Sequence, residues 1–163
     1  MNANLRGSLW WVMMGGIALG LWYGGAAYAE EGRYAILMKT NGTVEVRANG
    51  GDWKSAEAGM ILHQSDEIRT GPKSTANLLL DEKGSTGNFE LKPTSRIRLG
   101  TLTLNASTGD KTTILDLAIG DVLVHAQKLE GNSKFQVRTP NSTTGVRGTT
   151  FLVSAKPKEK GKQ

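Results

Sequence analysis

His63 and His125 are the only histidines in a chain of 163 residues that contains no cysteine. The side chains that carry most acid–base, nucleophilic and metal chemistry are therefore scarce. A serine nucleophile needs a histidine base and an orienting acid, and no G-x-S-x-G elbow presents one. A zinc site needs three or four His, Cys, Asp or Glu ligands, and no segment clusters them. The paired acids Glu30-Glu31, Asp66-Glu67 and Asp81-Glu82 would point to opposite faces of a strand, so adjacency does not make them an acid–base pair. No phosphate-cradling loop or dinucleotide fingerprint occurs; the glycines are scattered at turns. The chain reads as non-enzymatic, with no cofactor and no metal.

Two residues remain as candidates for recognition. Trp53, beside Asp52, is placed either to stack on a sugar or peptide or to pack on the edge of a core. Arg147 stands in "TPNSTTGVRGTTFLV", between Val146 and Gly148. Apolar neighbours and two glycines suggest tight turns or a close approach of strands, and a guanidinium held there needs acceptors. Arg147 is accordingly expected to be a buried brace paired with Asp66 or Asp121, rather than a ligand-reading residue. His125, in "VLVHAQ", is expected to be a partly buried structural histidine on the face opposite Val122 and Val124.

The elements that would hold these residues are short strands. "YAILMKT" runs into Asn41-Gly42, a pair that favours two-residue hairpin turns, and "TVEVRA" follows. Turn residues then recur every eight to fifteen positions through "DEIRTG", "TANLLLDE", "NFELK", "RIRLGTLTLN", "TTILDLAIGDVLVHAQ", "KFQVRT" and "TTFLVSA". No window sustains the 3.6-residue apolar period of a helix. The expected fold is all-β: one small domain of about ten short strands, arranged as a β-roll or short β-solenoid, with a β-sandwich as the alternative. A weak internal echo favours the rolled form, since "FELKPTSRIRLGTLTL" and "FQVRTPNSTTGVRGTTFLV" share a pattern, as stacked β-arches would.

The N-terminal residues have a different character. Arg6 is the one charged residue before an apolar run from Leu9 to Leu21, which leads to Ala27-Tyr28-Ala29. A basic start, an apolar centre and a small-x-small end describe a secretory signal peptide. Cleavage after Ala29 is expected; retention as an anchor is the alternative. The division is 1–29 signal peptide, 30–155 β-domain and 156–163 basic tail, with a periplasmic or secreted location. Of the net charge of +5, most belongs to Arg6 and the tail lysines, so the domain itself is near neutral. Trp10, Trp11 and Trp22 all precede Ala29, leaving too few aromatics for a nucleic-acid surface.

Two blocks of residues carry a likeness to a known family. The first is Trp53 followed by Gly59, Leu62, Asp66, Ile68, Arg69, Thr70 and Gly71. The second is Phe135, Val137, Thr139, Pro140, Gly145, Val146, Arg147, Gly148, Thr149, Phe151 and Val153. Together they resemble the FecR domain from about Tyr34 to Ser154, with the second block the more specific. The resemblance implies a β fold and an extracytoplasmic binding, sensing or scaffolding role with a protein partner in the cell envelope. In its best-known members the domain relays a siderophore signal to a sigma factor. Only Met1 to Ser8 precede the apolar run and a lysine-rich tail follows Ser154, so the expectation is a stand-alone exported domain. An anchored relay acting through a separate partner and a carbohydrate- or peptidoglycan-binding module are the alternatives. The motif residues themselves are expected to be structural, with Trp53 the speculative binding residue.

Overall fold

A computed structural model of the chain describes residues 30–81 and 84–156. The expected signal peptide and the tail beyond Lys156 lie outside them. The described residues form an all-β domain without a helix, a single curled sheet of thirteen strands. In chain order these are β1 (Glu30–Gly32), β2 (Tyr34–Asn41), β3 (Val44–Arg47), β4 (Lys54–Ser55), β5 (Ile61–His63), β6 (Glu67–Thr70) and β7 (Thr75–Leu80). They continue with β8 (Gly87–Leu91), β9 (Arg96–Asn105), β10 (Lys111–Ala126), β11 (Lys134–Arg138), β12 (Thr143–Val146) and β13 (Thr150–Ala155).

The curl gives the sheet two walls. One holds β4-β3-β6-β9 and the first half of β10, extended by β11 and β12, with β1 also paired to β9. The other holds β5-β2-β7-β8, the second half of β10, and β13. All these pairs are antiparallel except β10 with β11. Alternation along the strands, shifted once in β9, supplies the core: Ala76, Leu78 and Leu80 on β7, Phe89 and Leu91 on β8, and Ile97, Leu99 and Leu102 on β9. Leu115, Leu117, Val122 and Val124 on β10 and Phe135 and Val137 on β11 complete it. Each fully buried aliphatic or Phe side chain contributes about 1.5–3 kcal/mol.

Four of the places where the chain passes from one wall to the other stack as corners, and they come in two like pairs. Asn41-Gly42 is not a hairpin turn: β2 pairs with β5 and β7, β3 with β4 and β6, and the chain simply crosses walls between them. Gly42, at φ 73°, leaves room for Ser74, whose Oγ accepts from the Thr43 amide at 2.9 Å and donates to Pro72 O at 3.1 Å. The same device recurs at Gly120, at φ 88°, where Ser95 Oγ accepts from the Asp121 amide at 2.9 Å and donates to Pro93 O at 3.1 Å. Lys73 and Thr94, between proline and serine, both have φ 55°. The repeated unit is thus a Gly-x corner clasped by a Pro-x-Ser corner: residues 42–43 with 72–74, and 120–121 with 93–95. Backbone bonds from Gly71 N to Thr43 O and from Thr94 N to Gly71 O run through the corners, so the curl is continuous.

Candidate functional site

The family-like residues fall into a structural set and an exposed set. In the first block, Asp66 closes the tight turn before β6. Its carboxylate accepts from the amides of His63 at 2.8 Å and Asn49 at 3.2 Å. Gly59 sits at φ 91°, and Ile68 is fully buried. Buried Thr70 donates its hydroxyl to Lys92 O at 2.6 Å and accepts from Ser95 N at 3.1 Å, while Gly71 belongs to the corner ladder. Arg69 lies on the outer face, paired with Glu45 at 2.7 Å.

The second block forms a wing, β11 to β13, and most of its polar residues face solvent. Pro140, Gly145, Arg147, Gly148 and Thr149 are exposed, and Thr139 and Val146 are half-buried. Arg147 is not the expected buried brace. Its Nη2 donates to the Gly131 carbonyl at 3.0 Å, and it meets neither Asp66 nor Asp121. The physical reason is topological. Among the described residues β12 is an edge strand paired only with β11, so the arginine after it hangs over the loop before β11 instead of entering the core. Gly148, at φ 67°, passes close over Lys128 and returns the chain to β13. His125 is half-buried, its Nδ1 2.9 Å from Thr150 Oγ1 on β13.

The buried arginine of this fold is Arg33, at the crossing from β1 to β2. It is 7% exposed and grips Asp81 through Nε–Oδ1 at 2.7 Å and Nη2–Oδ2 at 2.9 Å. Its remaining N–H groups reach Thr86 Oγ1 at 2.6 Å and Thr113 Oγ1 at 3.0 Å, and Lys111 adds a second cation to Asp81 at 3.4 Å. Burial alone would raise the Asp81 pKa. Hydrogen bonds from Arg33 and Thr86 and the charges of Arg33 and Lys111 outweigh it, and the net shift is downward. Nothing in "EGRYAIL" marks this residue, because its partners Asp81, Thr86 and Thr113 are all distant in sequence.

Trp53 lies on the outer face of the first wall. The guanidinium carbons of Arg69 and Arg47 stand 4.1 and 4.7 Å from its ring centroid, within cation–π range. Beside it the outer face carries a row in register across five strands: Arg47, Glu67, Arg98, Asp116 and Arg138. Arg47 pairs with Glu67 at 2.8 Å. Arg96, Arg98, Asp116, Ala118, Thr139 and Pro140 help to line an open cleft of about 390 Å³ along this row. The sequence does signal its members, through alternating charges in "VEVR", "EIR" and "RIR". Their alignment depends on which strands pair, which the sequence does not state. Among the described residues no group of three metal-ligating side chains converges.

The FecR protein family model matches residues 66–162. The chain belongs to the FecR family. Its membership makes it a signalling or regulatory type of domain, one of a family that acts through protein partners. No curated protein and no solved structure matches the chain. The FecR match takes in both kinds of motif residue: the corner and turn residues from Asp66 to Gly71 and the exposed wing from Thr139 to Thr149.

Proposed function

We propose that this protein is an exported, non-enzymatic FecR-family module that works by binding a protein partner in the cell envelope through the wing β11–β13. The observation that carries this reading is the exposure of the wing's motif residues. Pro140, Gly145, Arg147 and Thr149 hold no core together, and exposed turn and edge positions of that kind serve recognition more readily than packing. The backbone supports it. Among the described residues β12 pairs only with β11. From the bond between Thr139 N and Ser142 O, the antiparallel alternation directs the amides of Thr143 and Gly145 outward. Open strand edges of this type accept a partner strand. The N-terminal apolar run ending at Ala27-Tyr28-Ala29 supports export.

The test is a photoreactive residue placed at position 145 or at the exposed position 58, in the turn after β4 at the other edge of the first wall, in the full chain expressed with its N-terminal segment. A discrete cross-linked adduct to one envelope protein from position 145, and none from position 58, is expected. Protease access to the domain in cells with a permeabilised outer envelope, but not in intact cytoplasm, checks export. Cross-linking from both positions alike, or from neither, sinks the wing as the binding surface.

A further inference from the structure

We infer that the arginine-lined cleft on the outer face of the first wall is a second binding site, and that its ligand is an extended acidic peptide segment with spaced carboxylates. The cleft meets the wing at Arg138, Thr139 and Pro140, but the inference does not depend on the open edge of β12. The cleft has a built floor. The extra residue Ala118 in β10, between Leu117 and Ile119, breaks the register with β9, and bulges of this kind re-aim side chains at functional sites. In β9 the extra residue is Gly100, whose missing side chain leaves room for the Asp116 carboxylate. The small Ala118 and the turn Thr139-Pro140 leave the space open between Arg47 and Glu67 on one side and Arg138 on the other.

Three of its arginines are unspent. None of the ion pairs among the described residues engages Arg96, Arg98 or Arg138. Arg98 has only a long 3.4 Å contact with Ser65 Oγ. Arg47 Nε is the one buried side-chain polar atom, among the described residues, without a hydrogen-bond partner. A planar guanidinium offers forked donors that match carboxylates. The alternation along the row decides the class of ligand. Arg47, Arg98 and Arg138 stand two strands apart, roughly 10 Å at ~4.8 Å per step, with Glu67 and Asp116 between them. A continuous polyanion must place charge against both acids. A chain in the polyproline II conformation, with a carboxylate on every third residue and so about 9 Å apart on one side, meets the arginines and spares the acids.

Calorimetric titration of the full chain with a peptide of repeating Glu-Ser-Ser, and separately with polyphosphate, tests this. The peptide should bind, and Arg98→Ala or Arg138→Ala should each weaken it about tenfold, the effect of losing a charge-assisted hydrogen bond. Both variants should melt as the wild type does, since neither arginine braces the core. Asp116→Asn should improve polyphosphate binding and leave the peptide nearly unchanged. Tighter binding of polyphosphate than of the peptide by the wild type, or peptide affinity indifferent to both arginine substitutions, overturns the proposal. The open edge of β12 is tested separately, by its cross-linking from position 145.

Discussion

Two arginines of this protein exchange the roles that their sequence contexts suggest. Arg147 sits between an apolar residue and a glycine, yet it is exposed with one carbonyl partner; Arg33 sits in an ordinary strand opening, yet it is buried with a bidentate carboxylate. Arg33→Ala leaves Asp81 without its main partner and should cost about 3–5 kcal/mol. Arg147→Ala should cost less than about 1 kcal/mol, as for surface contacts generally. Denaturant melts of the two variants side by side check both, and equal losses would contradict this division. The same pair sets an acid response. The Asp81 pKa is lowered below its ordinary 3.8 in the folded state. Its contribution is therefore complete above about pH 4 and is lost as pH falls through the folded value. Wild-type stability should drop in that range, and Arg33→Ala should show a shallower drop in a pH series of melts.

At the scale of elements the wall-crossing corners matter most. Each Gly-x corner hands one amide to the serine of a Pro-x-Ser corner, so a strand changes walls without leaving an orphaned donor. Ser95→Ala strips the partner from the Asp121 amide and should destabilise by about 1–3 kcal/mol. Ser74→Ala should do the same at Thr43, and the similarity of the two losses checks the equivalence of the corners. Gly120→Ala should be worse than either. A side chain there combines positive-φ strain with a clash against the Ser95 backbone, each worth about 1–3 kcal/mol. Thermal melts rank the three, and a mild Gly120→Ala would refute the clasp. The expected hairpin at Asn41-Gly42 fails for a related reason. The dipeptide supplies a positive φ, and a corner uses that conformation as readily as a hairpin does.

For the whole molecule, one continuous core spans both walls, with β10 common to them. Unfolding of the domain should be a single cooperative transition, with calorimetric and van't Hoff enthalpies equal; two resolved transitions would show that the walls are separable. The sequence alone was sufficient for the class of fold, because a period of two with turn residues between short apolar runs is a local property that only strands satisfy. It sufficed for the family as well, since the two motif blocks are local. What it left undecided was every relation between distant strands: that Arg33 meets Asp81, that Arg147 meets no carboxylate, and that charges from five strands fall into one row. Those depend on strand order and register. A register shift of one residue exchanges the two faces of a strand, so only the folded pairing tells a brace from a surface residue or a scattered set of arginines from a cleft.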